Sequence, residues 1–207
     1  MGWRRLLGGR GRDASGAGEA DRDARLVRYR EHLERAVDSR EAGMYARALS
    51  DFTRAVELEP GEPEAFAGRG ETYRLLERYD EALADFKRAV GLEPEYAWAF
   101  GSRAQTYRAL ERDSEALADL SRAIELDDSE DWLFVERGEV YQELERYDEA
   151  LADFNRAVGL DPEDAAALAG HDAPRPAPVR SWARPTHRPP TPPGPTPAHQ
   201  AMTPGPE

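Results

Sequence analysis

One phrase is written three times along this chain. Residues 76–94 read LERYDEALADFKRAVGLEP and residues 144–162 read LERYDEALADFNRAVGLDP, copies that differ only at Lys87/Asn155 and Glu93/Asp161. Midway between them, residues 110–128 read LERDSEALADLSRAIELDD, a looser copy, so the spacing is 34 residues taken twice. A period of this size belongs to a stack of small supersecondary units rather than to a closed globular domain.

A 34-residue frame set at 29, 63, 97 and 131 aligns the same residue types four times. Position 8 is Ala36, Gly70, Ala104 and Gly138; position 11 is Ser39, Tyr73, Tyr107 and Tyr141. Position 20 is Ala48, Ala82, Ala116 and Ala150; position 24 is Phe52, Phe86, Leu120 and Phe154; position 27 is Ala55, Ala89, Ala123 and Ala157. Positions 4, 8 and 11 share one face of a first helix, and 20, 24 and 27 share one face of a second. The small residues let two helix backbones approach, and the aromatics fill the remaining volume. Pro60, Pro94 and Pro162 end the second helix of their units. Each unit is therefore a helical hairpin that must stack on the next to bury its apolar face.

On these residues the chain resembles the tetratricopeptide repeat family over 29–164, most strongly in the second and fourth units. The resemblance implies an all-α, right-handed superhelical solenoid of about four helix-turn-helix repeats over residues 26–170. The first unit departs from the pattern at His32 and Ser39, which predicts an atypical cap or a diverged helix. The third has Asp113, Leu120 and Asp128 in place of the tyrosine, aromatic and proline, which predicts a looser turn. A fifth unit begins at 167–170 (ALAG) and gives way to a Pro-rich stretch over 171–207, where 12 of the 16 prolines lie. That stretch and the Gly/Arg-rich residues 1–25 read as disordered. The abrupt change near residue 170 reads equally as a genuine Pro-rich segment or as a lost reading frame in a longer repeat protein.

In this family the first helices line the ligand groove, at positions 2, 5, 9, 12 and 13 and often 6. The corresponding candidates for partner binding are Glu64, Glu71, Arg74, Trp98, Gln105, Arg108, Trp132, Glu136 and Glu139. Trp98 and Trp132 read either as anchors for a partner or as covers over neighbouring helices. A second charged pattern does not vary: Arg35, Arg69, Arg103 and Arg137 at position 7, with Asp51, Asp85, Asp119 and Asp153 at position 23. Invariance favours a structural ladder across the helix interface over a ligand strip. The clamp that chaperone-binding members use on a C-terminal carboxylate needs lysines and an asparagine on the first helices; the only lysine is Lys87.

Charge narrows the partners. Residues 1–28 are net +3 and 165–207 net +2, so against −13 for the chain the stretch between is net −18. Such an acidic body disfavours nucleic acid and favours a partner of basic character. There are no cysteines, which removes disulfides, thiolate metal sites and a cysteine nucleophile. No apolar run approaches the roughly 20 residues of a membrane helix, and the start MGWRRLLGGR is too short in apolar residues for a signal peptide. The reading is a cytoplasmic protein with no cofactor and no metal. None of the familiar catalytic motifs is present, so no enzyme activity is expected. The expected function is a non-catalytic scaffold or adaptor that holds a peptide or helix of another protein in the concave groove. The alternative is a regulatory or sensor fragment of a longer enzyme or signalling protein. Self-association through the uncapped last repeat is a further partner expectation.

Overall fold

The computed structural model describes residues 13–172, which form nine helices and no strand. They are α1 (Asp13–Glu41), α2 (Tyr45–Leu58), α3 (Pro63–Leu75), α4 (Tyr79–Leu92), α5 (Ala97–Ala109), α6 (Asp113–Leu126), α7 (Asp131–Glu143), α8 (Tyr147–Leu160) and α9 (Ala165–His171). Consecutive helices pair into hairpins, and each hairpin packs on the next. The odd-numbered helices also touch their odd-numbered neighbours, whereas no even-numbered helix touches another. An array whose first helices crowd together while its second helices spread apart curves with the first helices inside. This is a helical repeat solenoid.

The buried positions are those of the repeat. Phe52, Phe86, Leu120 and Phe154 are enclosed, with the alanines of positions 20 and 27 around them. Truncating such a phenylalanine to alanine costs about 3–5 kcal/mol. At Gly70, a Cβ would lie 3.3 Å from the Ala82 carbonyl oxygen and from the Phe86 ring, so the α3–α4 crossing has little room for a side chain.

Each hairpin turn is closed the same way. At the end of α3 the Arg78 amide donates to the Tyr73 carbonyl (2.9 Å) and the Glu77 amide to the Arg74 carbonyl (2.9 Å). This pairing satisfies two carbonyls that the helix end leaves open. It needs a left-handed residue between, which is Glu77, Glu111 and Glu145 at φ 58°, 56° and 59°, and Gly43 at φ 71° in the first hairpin. Arg78, Arg112 and Arg146 then lie 4.5, 4.6 and 4.4 Å over the rings of Tyr73, Tyr107 and Tyr141.

The invariant charges form the ladder. Arg69 Nε and Nη2 donate to Asp85 at 2.7 and 2.8 Å, and Arg103–Asp119 and Arg137–Asp153 repeat both distances. Two rungs reach back to the preceding hairpin, Arg69 Nη1 to Thr53 Oγ1 and Arg137 Nη1 to Ser121 Oγ, both at 3.3 Å. The first rung differs: His32 stands where the other units have Phe66, Phe100 and Phe134. Its Nδ1 lies 2.7 Å from Asp51 Oδ1, and Arg35 contacts the same oxygen through one nitrogen at 3.0 Å.

Three expectations are corrected. Residues 13–25 are helical, because their Ala, Asp, Arg and Glu residues are compatible with helix and Arg25 is tied to Glu59 at 2.7 Å across the first hairpin; residues 1–12 lie outside the described residues. The first unit is atypical, as its departures at His32 and Ser39 lead one to expect: α1 runs 29 residues against 13 for α3, α5 and α7, Ser39 is buried, and His32 turns a ring position into a ladder contact. The third hairpin turn is not looser. Its amides from Glu111 and Arg112 donate at 2.8 and 2.9 Å to the same two carbonyl positions. After α6, where proline is missing, the Ser129 amide and hydroxyl donate to Asp127 Oδ1 at 3.0 and 2.6 Å and hold the link. The disordered reading of 171–207 is corrected at its start, where His171 belongs to α9 and the Asp172 amide donates to the Leu168 carbonyl at 3.0 Å; residues 173–207 lie outside the described residues.

Candidate functional site

The first helices α3, α5 and α7 carry every candidate partner-binding residue, but the structure uses them unequally. On α3, Arg74 Nε and Nη2 donate to the two Glu71 oxygens at 2.8 and 2.6 Å, one turn apart, so this pair largely neutralises itself. The hydrogen bonds to Glu71 raise the Arg74 pKa against its burial, and Glu136 of α7 adds to the effect. Glu64 sits in the first turn of α3, exposed and without an ion pair among the described residues.

Further along, one guanidinium serves several carboxylates. Arg108 on α5 donates to Glu136 (3.1 Å), to Glu139 and to Glu143 (2.9 Å), all on α7. Gln105 adds a 2.6 Å bond to Glu136. Burial opposes the Arg108 charge, but its hydrogen bonds to Glu143 and Glu139 outweigh this and push its pKa above the ordinary arginine range. Three carboxylates share that one cation, and Glu139 and Glu143 keep 37% and 50% of their side-chain surface open to solvent. The α5–α7 face therefore carries a surplus of accessible negative charge.

The tryptophans sit between packing and display. Trp132 is half-buried against the cluster of Ala104, Ala116, Leu120, Leu133 and Val140. Its ring lies across Gly101 of the preceding first helix, where a Cβ would come within 2.3 Å of Trp132 Cη2, and its indole N–H donates to Glu130 at 3.1 Å. Trp98 is also half-buried, packed on Phe66, Ala67, Ala89 and Ala99, with its ring 6.1 Å from that of Tyr96. Both rings cover the junction with the preceding repeat and keep one side open.

Glu143, Tyr29 and Tyr96 belong to this face and were not among the sequence candidates. Glu143 stands at groove position 13, so its signal was available; Tyr29 stands at frame position 1, which carries no repeated residue type, and Tyr96 at position 34, where the other units have Glu62, Glu130 and Asp164. Among the described residues no cluster of His, Cys, Asp or Glu is placed to hold a metal ion, and no helix is long and apolar enough to cross a membrane. A surface depression of about 560 Å³ is lined by His32 and by α2 residues including Ser50, Asp51, Arg54 and Glu57, away from α3, α5 and α7.

Comparison with known proteins agrees with the fold. Residues 63–96 and 132–164 match one model described as tetratricopeptide repeat, and residues 99–130 match a second with the same description. No curated protein sequence matches the chain. Among solved structures, YrrB, described as a TPR protein with an unusual peptide-binding site, is 27% identical, with 68% of this chain and 72% of that one covered at a TM-score of 0.57. MamA from Desulfovibrio magneticus RS-1 is 18% identical (70% and 81% covered, TM-score 0.62). The first TPR of Spaghetti (RPAP3), bound to the HSP90 peptide SRMEEVD, is 24% identical (53% and 87% covered, TM-score 0.52). The last two share the fold with this chain.

Proposed function

This chain is a tetratricopeptide repeat protein, and from that premise we propose that it is a non-catalytic scaffold whose first-helix face holds a peptide or helix of basic character from another protein. The observation that carries the reading is the carboxylate surplus around Arg108. Glu136, Glu139 and Glu143 outnumber their one cation on a face built by adjacent first helices. Charge of one sign on a curved surface selects partners of the other sign and speeds their encounter. Half-buried tryptophan edges beside it offer apolar contact for the stem of a long side chain. The peptide-binding site that describes YrrB supports the class of ligand.

The test uses the full chain with fluorescein-labelled peptides read by anisotropy: one of alternating Lys and Ala, one of alternating Glu and Ala, and one of alternating Gln and Ala. Binding of the lysine peptide alone, weakened by salt and by Glu139→Gln/Glu143→Gln, is expected. Equal binding of the glutamate peptide would refute the reading. Trp132→Ala is a poor probe of binding because its ring also supports the α5–α7 junction.

Self-association is a second reading, favoured by α9. Leu168 there is 39% exposed, and Ala165, Ala166 and Ala169 are exposed beside it, on a helix with no following hairpin among the described residues. Sedimentation equilibrium over a wide concentration range would detect it; a constant monomer mass would dismiss it.

A further inference from the structure

At the other end of the same face, three repeats bring together groups that the Arg108 cluster does not use. Glu64 in the first turn of α3 is exposed and makes no ion pair among the described residues. Tyr96, just before α5, pairs its ring with Trp98 at 6.1 Å with the planes tilted 33°. Tyr29 on α1 is 6% exposed, packed against Ala55 and Ala65, and its hydroxyl is the buried side-chain polar atom left without a hydrogen-bond partner among the described residues. The clusters around Tyr29 and around Tyr96 and Trp98 meet at Val56, so the three rings belong to one corner.

Glu64 borders that corner, since the next two residues of α3 pack there, Ala65 against Tyr29 and Phe66 against Trp98. Burial, then the negative charges of Glu64 and Glu62, push the Tyr29 phenol above its ordinary range, and Tyr96 is also felt there. Burial, then Glu64, push Tyr96 up to about 12. Arg40 is the one cation felt at Tyr96, yet it makes no ion pair with Glu64. An orphaned buried hydroxyl costs free energy unless something completes it. A carboxylate with no partner beside aromatic rings is the complement of a cation that has several N–H donors and a polarisable approach.

We propose that Glu64, Tyr96 and Trp98, backed by the Tyr29 hydroxyl, form a subsite for one lysine or arginine side chain of the bound partner. The cationic head pairs with the Glu64 carboxylate and donates a further N–H to the Tyr29 phenol oxygen as Tyr96 turns aside. The aliphatic stem lies along the Tyr96 and Trp98 rings. This rests on the basic-partner reading above and deepens it, since it separates one anchoring pocket from a diffuse acidic face. Glu64 and Trp98 occupy the same groove position in adjacent repeats, whereas Arg30 and Trp132 stand there in the outer two; the corner is therefore not repeated along the array.

The experiment is a titration of the ¹⁵N-labelled full chain with the capped pentapeptide Ala-Ala-Lys-Ala-Ala and its norleucine counterpart. Indole N–H signals are followed, with Trp98 assigned from Trp98→Phe. The lysine peptide is expected to shift the Trp98 signal and the norleucine peptide to leave it unmoved. Glu64→Gln should weaken the lysine peptide by about tenfold. Tyr29→Phe should weaken it by about threefold at an unchanged circular dichroism spectrum. If the lysine peptide shifts other signals, loses affinity in Glu139→Gln/Glu143→Gln and ignores Glu64→Gln, the subsite is overturned while the acidic-face reading stands. If neither pair of substitutions matters, or no signal moves at any concentration, both fall.

Discussion

Asp119→Asn should destabilise this protein far more than Asp51→Asn, although both aspartates hold the same place in the repeat. Asp119 receives Arg103 through two parallel bonds of 2.7 and 2.8 Å, with side-chain exposures of 14% for the arginine and 10% for the aspartate. Asparagine keeps one acceptor and turns an NH2 toward the fork, so a mostly buried guanidinium loses half of its partner and all of its counter-charge. Removing one member of a buried pair costs about 3–5 kcal/mol, and the remaining exposure brings the expectation to about 2–4 kcal/mol. Arg35, in contrast, is 48% exposed and meets Asp51 through a single nitrogen. Freed of its partner it turns into water, and an exposed pair of this kind contributes about 0–1 kcal/mol. Urea unfolding followed by circular dichroism reads the difference directly. With a slope of about 2 kcal/mol per molar, the midpoint should fall by about 1–2 M for Asp119→Asn and by less than about 0.5 M for Asp51→Asn. Equal shifts would refute the claim that burial of the arginine, rather than the recurrence of the pair, sets the strength of a rung. A small shift in both would return the ladder to the status of a ligand strip.

Other perturbations test the remaining elements. Gly101→Ala should cost about 1–3 kcal/mol because its Cβ would meet the Trp132 ring and Leu133 Cδ2 at 2.3 and 2.7 Å. In a Trp132→Ala background that cost should drop by at least about 1 kcal/mol, and additive costs in the thermal-melt cycle would deny the ring-on-glycine contact. Glu111→Gly should raise stability by about 0.5–1 kcal/mol, since φ 56° is strained for a side chain, with loss of stability in urea as the contrary result. Burial pushes the Asp51 carboxyl up, but the bonds from His32 and Arg35 outweigh it and hold it below its ordinary value of 3.8. A carboxyl with a depressed folded pKa adds stability above its unfolded pKa and loses it as pH falls through the folded value. The stability difference between the wild type and Asp51→Asn should therefore persist at neutral pH and close below about pH 3.8; a difference that stays unchanged down to that pH would refute it.

The period, the helix pairing and the buried positions were legible in the sequence, because small and aromatic residues recurring at fixed intervals leave few ways to bury them. So was the ladder, since arginine and aspartate recur without change at positions 7 and 23. The third turn was misread because its cues, Asp113, Leu120 and Asp128 in place of the tyrosine, the aromatic and the proline, are side chains, whereas backbone amides close the turn. The same two backbone hydrogen bonds close that turn whatever residue follows the helix, and Ser129 with Asp127 replaces the proline that no longer stops α6. Residues 13–25 were misread because composition alone does not register the tie between Arg25 and Glu59, 34 residues apart.

What the sequence could not determine is how residues of different repeats meet on one face. Trp98 and Trp132 share a groove position, yet one leans on Tyr96 and the other lies across a glycine, because the residue offered by the preceding repeat differs. Arg108 and Arg74 also share a position, but Arg74 is satisfied within its own helix while Arg108 reaches across to three glutamates of the next. The corner of Glu64, Tyr96, Trp98 and Tyr29 draws on three repeats, and no other repeat supplies the same four residues. A repeat writes its own fold into the sequence at a fixed spacing; the surface between repeats depends on which side chains the stacking brings within reach, and only the tertiary structure decides that.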